Sequence, residues 1–237
     1  MTLEWLVRFQ RPGAVLALHD LPPLAEPVEA ALFGLTEDGL RARRRDQERA
    51  VRAAAHGLPE PPFGAGELVV GLGDSITSDA HSWFELLAAR SHARFLNAAI
   101  SGDTTADLRK RAYRIAALRA DWVLVMAGTN DCQRHRGERL VSAAETARNI
   151  RALDAALRRT CPRVIWIAPP PVDEPSLGAE LTARGLAFRN ADVQAVAAAL
   201  PAGAIDIRPG YEGWEDGLHP TPAGQRQIAE RVLRALG

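Results

Sequence analysis

The sequence predicts an α/β domain of three layers, in which a mainly parallel sheet of about five strands lies between two layers of helices. Two observations predict this fold. Short apolar runs alternate with longer stretches of helical spacing from about residue 66 onward, and small polar residues follow several of the apolar runs. A chain of 237 residues is long enough for one substantial core. We therefore expect one α/β domain over residues 66–237, preceded by a small N-terminal extension over residues 1–65.

Five apolar runs predict the strands. Each run is short and is bounded by glycine, proline or polar residues, as is typical of strands buried on both faces. The runs cover residues 67–73, 93–100, 121–127, 163–168 and 203–207, and the last is the weakest.

Five stretches between and after these runs have helical spacing. They cover residues 82–90, 104–119, 140–159, 178–199 and 221–236. Thr104 or Thr105 is suited to cap the second stretch, and Thr221 precedes Pro222 at the start of the last. Because helices lead from one strand to the next, the strands are predicted to run parallel.

The first 65 residues follow a different pattern, which predicts a hairpin, a helix and a linker. Alternation around residues 5–9 and apolar residues at 15–18, joined by a tight turn, predict the hairpin. The helix is expected to begin after its cap Thr36 and to end at Gly57, and the proline-rich segment 58–64 predicts the linker.

Charge and cysteine content exclude several classes of protein. The 29 basic and 29 acidic residues cancel, which argues against nucleic-acid binding because nucleic-acid-binding proteins usually carry a basic excess. Acidic residues interrupt the arginine-rich stretch 41–49, so we interpret it as a solvated helix face, with an anion site as the alternative. The two cysteines, Cys132 and Cys161, are too few for a disulfide framework.

The sequence also predicts where the protein acts and what it lacks. No stretch approaches 18 consecutive apolar residues, and charged residues interrupt the apolar segment at the N-terminus. We therefore expect a cytoplasmic protein without membrane insertion. The histidines lack the spacing of metal ligands, so we expect no metal site. The N-terminal extension is a candidate surface for homo-oligomer formation.

Four blocks of small and polar residues carry the chemistry. GDSIT (73–77), NAAISGDTT (97–105) and GTND (128–131) follow the first three predicted strands, and DGLHP (216–220) precedes the last helix. In open parallel sheets ligands bind beyond the carboxyl ends of the strands, so we expect these blocks to converge there.

The four blocks, in this order, resemble those of the SGNH hydrolases, the GDSL esterase/lipase family. They span nearly the whole α/β domain, whereas the first 65 residues contribute nothing to the resemblance. It implies a flavodoxin-like fold and a serine esterase without a cofactor. Ala98 and Ala99 stand where many relatives have a glycine soon after the asparagine; because Gly102 is retained, we expect only an adjustment of packing.

The residue chemistry agrees with this resemblance. A serine hydroxyl needs a base within hydrogen-bond reach, and Ser75 lies on a glycine-flanked turn that can expose it. His219 is the natural base, and Asp216, three residues earlier, is suited to orient the imidazole. The resemblance assigns the oxyanion hole to the backbone N–H groups of Ser75 and Gly102 and to the side-chain amide of Asn130.

Single residues of these blocks also have structural interpretations. Ser75 is suited to cap a helix, and Asn130 is suited to hold a turn. We interpret Asp74 as a brace of the nucleophile turn, Asp103 as a cap of the following helix, and Cys132 as a buried structural thiol rather than a nucleophile.

The leading hypothesis is a serine ester hydrolase that forms an acyl-enzyme and acts on a small, soluble acyl ester such as an acetylated sugar. Carboxylesterase, lysophospholipase, thioesterase and carbohydrate deacetylase activities all fit the resemblance. The alternatives are an acyltransferase that uses the same site and a catalytically silent binding protein of the same fold. Trp83 and Trp214 are predicted either to floor the substrate pocket or to belong to the core.

Overall fold

A parallel sheet of four strands forms the centre of the structure, a computed structural model that describes residues 8–10, 16 and 22–237. The strand order is β2-β1-β3-β6, and each pair of neighbours is parallel. A small antiparallel sheet has the order β5-β4-β7. The strands are β1 (Leu68–Gly73), β2 (Arg94–Asn97), β3 (Trp122–Met126), β4 (Arg134–His135), β5 (Glu138–Arg139), β6 (Arg163–Ile167) and β7 (Leu186–Ala187).

The helices begin at polar caps, as the sequence predicts. The side chains of Thr36, Thr104 and Thr221 each accept a backbone N–H from the first turn of their helix, whereas Thr105 is already helical. None of the helices in the described part of the chain is long and apolar enough to cross a membrane. The helices are α1 (Glu26–Leu32), α2 (Glu37–Ala55), α3 (Ser75–Ser78), α4 (Trp83–Ala88), α5 (Thr105–Ala117), α6 (Ala143–Leu157), α7 (Ala179–Ala183), α8 (Asn190–Ala198) and α9 (Pro222–Leu236).

Side chains that alternate along the strands form two cores, one on each face of the sheet. On one face Val70 and Val125 pack with apolar residues of α5, α6 and α8. On the other face Val69 and Met126 pack with apolar residues of α2, α4 and α9. The predicted three-layer fold is therefore confirmed.

The fifth predicted strand is reduced to one bridging residue. Ile205 donates its N–H to the carbonyl of Trp166 at 2.8 Å and accepts the N–H of Ala168 at 2.9 Å, but the segment 203–207 forms no longer ladder. The carboxylate of Asp206 accepts the backbone N–H of Arg208 at 3.0 Å. Side-chain bonds of this kind compete with a sheet ladder, so the strand ends after one residue.

The predicted helix over residues 178–199 is also wrong, because it is broken into α7 and α8. Gly185 has a φ of 70°, a conformation that ends α7 at little cost for glycine. The next two residues form β7, which pairs with β4 instead of continuing a helix. A strand partner about 50 residues away overrides the helical spacing.

The helix predicted before the α/β domain is present as α2 and belongs to one of the two cores. Val51 and Ala55 of α2 are buried there, and so are Leu58 and Phe63 of the proline-rich segment. The region from α2 to β1 is therefore packed along the α/β domain rather than separated from it.

The predicted hairpin lies almost entirely outside the described residues. Of its residues, Arg8, Phe9, Gln10 and Leu16 are described, and the backbone of Arg8, Phe9 and Leu16 is helical rather than extended.

Candidate active site

The loops after β1, β2 and β3 meet at one edge of the sheet. Since β1 lies between β2 and β3, the loops that carry Gly102 and Asn130 flank Ser75 from both sides. The N–H of Ile100 donates to the carbonyl of Gly73 at 3.1 Å, which ties the second loop to the first. The structure thus brings the first three predicted blocks together.

Ser75, His219 and Asp216 form a continuous chain of hydrogen bonds. The Oγ of Ser75 is 3.1 Å from Nε2 of His219, and Nδ1 of His219 is 2.8 Å from Oδ2 of Asp216. If Nδ1 carries the proton and donates it to the carboxylate, Nε2 is free to accept the serine hydroxyl. This is the arrangement that general-base activation of a serine requires.

The carboxylate of Asp216 is held by its own loop. Its Oδ1 accepts the backbone N–H groups of Leu218 at 3.0 Å and His219 at 2.7 Å. Burial acts to raise the pKa of Asp216. The hydrogen bonds and charge of His219, together with these N–H groups, outweigh burial and lower this pKa to about 2. Gly217 has a φ of 82°, and a Cβ there would lie 2.7 Å from the backbone of Leu177, so this turn requires glycine.

The turn that carries Ser75 is braced from two directions. Asp74 caps the short helix α3, because its Oδ1 accepts the N–H of Ile76 at 3.1 Å. From α9, the amide of Gln225 donates to the carbonyl of Ile76 at 3.0 Å and accepts the N–H of Trp83 at 2.9 Å. The structural role predicted for Asp74 fits this geometry. Gln225 was not predicted, since a glutamine within an amphipathic helix carries no local signal.

Asp74 is also an unusual carboxyl group. It is almost fully buried, and besides the N–H of Ile76 it has the hydroxyl of the buried Thr129 beside it. Burial raises the pKa of Asp74 to about 7, even though the N–H of Ile76 and the charge of His219 act to lower it.

Gly102 and Asn130 have the geometry of candidate hydrogen-bond donors. Gly102 has a φ of 87°, and no other atom lies within 4 Å of the position a Cβ would take, so open space faces this turn. The amide of Asn130 donates one hydrogen to the carbonyl of Asp103 at 3.0 Å. An amide nitrogen carries two hydrogens, so a second one remains for a ligand.

The acidic residues beside these donors have structural partners. Asp131 is fully buried and accepts the N–H and the hydroxyl of Thr105 at 2.8 and 2.5 Å and the hydroxyl of Thr146 at 3.0 Å. Asp103 forms an ion pair with Arg111 and does not cap α5, so the cap predicted for Asp103 is wrong. Thr104 takes that place, because its hydroxyl accepts the N–H of Asp107 while the carboxylate of Asp107 accepts the N–H of Thr104.

Cys132 has the character of a structural thiol. Its Sγ donates to the carbonyl of Gly128 at 3.3 Å, and burial raises its pKa to about 12. A thiol that stays protonated is a poor nucleophile.

A cleft of about 850 Å³ reaches His219 and Asp216 from the side of α2. Its volume lies in the range of pockets that bind small molecules. The lining combines an aromatic ring with charges of both signs and an amide, and includes Phe9, Arg43, Asp46, Gln47, His81 and Glu215. The four sequence blocks gave no signal for Phe9 or for the residues of α2.

The two tryptophans near the blocks do not line this cleft. Trp83 is fully buried, and its indole donates to the hydroxyl of Thr77 at 3.3 Å, so it belongs to the core. The indole of Trp214 donates to the carbonyl of Pro171 at 2.7 Å. Within residues 8–10, 16 and 22–237, no group of three or more His, Cys, Asp or Glu side chains is placed to hold a metal ion.

Comparison with known proteins gives a family match and a shared fold. The model of the GDSL-like lipase/acylhydrolase family matches residues 72–227, which is more than half of the chain. A search of curated protein sequences finds no match.

Three solved structures illustrate the shared fold. An α/β hydrolase from the metagenome of Lake Arreo, Spain, is 24% identical with a TM-score of 0.54, over 74% of this chain and 97% of that one. A carbohydrate esterase of family 3 from Talaromyces cellulolyticus is 20% identical with a TM-score of 0.53, over 72% of this chain and 96% of that one. A gut microbial diltiazem-metabolizing enzyme is 19% identical with a TM-score of 0.56, over 76% of this chain and 49% of that one. The chain therefore belongs to the GDSL-like lipase/acylhydrolase family and is an ester hydrolase of the SGNH type.

Proposed function

We propose that this ester hydrolase uses Ser75 as nucleophile, His219 as general base and Asp216 as the group that orients His219. The observation that carries the proposal is the unbroken chain of hydrogen bonds from Ser75 Oγ through both nitrogens of His219 to Asp216. The low pKa of Asp216 keeps its carboxylate ionised at neutral pH, so it stabilises the imidazolium that forms when His219 takes a proton.

In the first half of the reaction, Ser75 Oγ attacks the carbonyl carbon of the ester while its proton moves to Nε2 of His219. The carbonyl oxygen of the tetrahedral intermediate carries the negative charge. It accepts hydrogen bonds from the backbone N–H groups of Ser75 and Gly102 and from the amide of Asn130. The C–O bond to the alcohol then breaks, His219 returns its proton to the departing oxygen, and the acyl group remains on Ser75.

In the second half, a water molecule takes the place of the alcohol. His219 removes one proton from the water as its oxygen attacks the acyl carbon, and the same donors stabilise the second oxyanion. Collapse of this intermediate releases the carboxylic acid and returns the proton to Ser75. The sum is ester plus water to acid plus alcohol, so the cycle needs no cofactor.

The cleft beside His219 supports a small ester with a polar alcohol portion. It is lined by charged groups of both signs, by the amide of Gln47 and by the ring of Phe9. Such a lining suits a hydroxylated group, such as a sugar, better than a long acyl chain. A carbohydrate esterase is among the structures that share the fold. An acetylated sugar is therefore the substrate class we favour.

An ester panel tests the proposal. We would measure hydrolysis of p-nitrophenyl acetate, butyrate and octanoate and of a peracetylated monosaccharide, and label the protein with a serine-directed phosphonate. Turnover that falls beyond acetate, labelling at Ser75 and loss of both in Ser75→Ala are the expected results. Turnover that rises with chain length would contradict the substrate class. No turnover and no labelling of the folded protein would instead support a silent binding protein. An excess of an acceptor alcohol, assayed for a new ester, detects an acyltransferase.

A further inference from the structure

Two residues of the N-terminal extension connect the nucleophile segment (residues 75–80) to the acid–base loop (residues 215–220). The guanidinium of Arg8 donates to Oδ2 of Asp79 through Nε at 3.0 Å and Nη2 at 2.7 Å. It also donates to Oε2 of Glu215 at 2.7 Å and to the carbonyl of Pro220 at 3.4 Å. One side chain thus reaches the nucleophile segment and both ends of the acid–base loop.

Phe9 contacts the same two elements. Its ring lies against the imidazole of His219, with the ring centroids 5.1 Å apart and the planes tilted by 45°. Its carbonyl accepts the hydroxyl of Ser78 at 2.9 Å, and the carbonyl of Arg8 accepts the N–H of Ala80 at 3.0 Å. The backbone of residues 8–9 is therefore bound to the nucleophile segment, while both side chains contact the acid–base loop.

The contacts of Arg8 differ in strength. Asp79 is fully buried, and a buried carboxylate that loses its cation is costly, so we expect this pair to be strong. Glu215 is about half exposed, and ion pairs in water contribute little. Burial acts to lower the pKa of Arg8, but the hydrogen bonds and charges of Asp79 and Glu215 raise this pKa above its ordinary value. The guanidinium therefore stays charged.

The acid–base loop has a second support on its other side. The carbonyl of Gly217 accepts the N–H of Asp173 at 2.9 Å, and the carbonyl of Asp216 accepts the N–H of Gly178 at 3.1 Å. These bonds hold the half of the loop that carries Asp216. His219 lies in the other half, and its ring is contacted by Phe9. Loss of Arg8 or Phe9 should therefore shift His219 without dissolving the loop.

We propose that Arg8 and Phe9 are positioning residues for His219, which keep its Nε2 within hydrogen-bond reach of Ser75 Oγ. The inference rests on the proposed function, because these residues affect turnover only through the Ser75–His219 pair. A displacement of about 1 Å in a catalytic group costs up to about 10²-fold in rate. Since the loop has a second support, we expect a smaller loss, of about 10-fold. The family match begins at residue 72, so this support comes from outside the matched domain.

The test uses point variants of the full chain with matched controls. Phe9→Leu is compared with Phe63→Leu, because Phe63 is an equally buried ring that packs against Phe95 and Trp122 away from the site. Arg8→Ala is compared with Arg158→Ala, because Arg158 also bonds a carboxylate and a carbonyl, those of Asp154 and Val164. For each variant, kcat and KM on p-nitrophenyl acetate, the phosphonate labelling rate of Ser75 and the Tm are measured.

We expect Phe9→Leu and Arg8→Ala to lower kcat about 10-fold and the labelling rate in step. KM on p-nitrophenyl acetate should stay within about twofold, because this substrate has no sugar to occupy the cleft that Phe9 lines. Both controls should keep wild-type kcat even if their Tm falls. Arg8→Lys should restore most of the Tm, because lysine retains the charge for Asp79. It should restore kcat only in part, because an ammonium group cannot reproduce the fork of bonds to the acid–base loop.

Three results would overturn the inference. The first is wild-type kcat in both Phe9→Leu and Arg8→Ala. The second is an equal loss of kcat in the controls, which indicates general destabilisation. The third is a rise in KM alone, which indicates contact with substrate. Failure of the proposed function is recognised separately, because the wild type would then show neither turnover nor labelling, or Ser75→Ala would retain activity.

Discussion

The α/β domain and the N-terminal extension supply the active site in different ways. In the domain, Ser75, Gly102 and Asn130 each follow a strand of the sheet, so the order β2-β1-β3 alone brings them to one edge. In the extension, Arg8 reaches the site through side-chain bonds to residues more than 70 positions away. The comparison teaches that the position of the proposed reacting groups depends on the fold itself, whereas the support we propose for His219 depends on contacts that a different N-terminal segment would not provide.

The largest effect is expected from Ser75→Ala, which removes the proposed nucleophile of the α/β domain. Turnover should fall by about 10⁴- to 10⁶-fold, because loss of a catalytic serine leaves only the oxyanion donors and binding. The Tm should change little, since within the part of the chain that the structure describes the hydroxyl bonds His219 alone. The measurement is p-nitrophenyl acetate hydrolysis with thermal unfolding as control. More than a tenth of wild-type activity would remove Ser75 from the mechanism.

Asp216→Asn should give the next largest loss. The amide oxygen would keep the two backbone N–H groups that Oδ1 accepts, so the NH2 group would face Nδ1 and donate to it. His219 would then hold its proton on Nε2, and the negative charge that stabilises the imidazolium would be lost. We expect kcat to fall by about 10³- to 10⁴-fold with a smaller change in KM. Steady-state kinetics on the best substrate of the panel measure both parameters. Unchanged turnover would show that another carboxylate orients the histidine.

Asn130→Ala tests the donor that follows β3. Loss of one oxyanion donor lowers kcat by about 10²- to 10³-fold. Asn149→Ala is the matched control, because Asn149 is a buried asparagine of α6 whose amide bonds the hydroxyl of Thr105 at the start of α5. A similar loss of kcat in both variants would argue that Asn130 acts only by holding its loop.

A double-mutant cycle between Arg8→Ala and Asp79→Asn tests the ion pair that joins the N-terminal extension to the α/β domain. Because the pair is buried on the Asp79 side, we expect the two changes to be coupled by about 1–3 kcal/mol in the free energy of unfolding. The kcat of the double variant should equal that of Arg8→Ala alone. Chemical denaturation and steady-state kinetics give the two quantities. Additive effects on unfolding would mean that the two side chains do not support each other.

The smallest expected effect concerns acid stability. The pKa of Asp216 is lower in the folded protein, about 2, than its ordinary value of 3.8. A carboxyl group with a lowered pKa stabilises the folded state above its ordinary pKa, and this contribution is lost as the pH falls toward 2. The wild type should therefore lose more stability between pH 4 and pH 2 than Asp216→Asn. Equal loss in the two proteins, measured by urea denaturation at each pH, would contradict the lowered pKa.

Much of this protein follows from its sequence alone. The four central strands, the helix caps Thr36, Thr104 and Thr221, and the four polar blocks were all predictable. Apolar periodicity and capping are local properties, and polar residues at the ends of parallel strands are brought together by any sheet of this topology. The catalytic roles of Ser75 and His219 remain predictions, although the structure places their side chains in contact.

Only the tertiary structure decided the remaining features. The break at Gly185 depends on pairing of β7 with β4, and the brace of Gln225 on Ile76 joins residues 149 positions apart. The bond between Arg8 and Glu215 spans 207 positions. Such contacts leave no periodic or local pattern, because their free energy arises when distant segments are already packed together. The side chains proposed to react were therefore legible in the sequence, whereas the contacts of Gln225 and Arg8 with the segments that carry them were not.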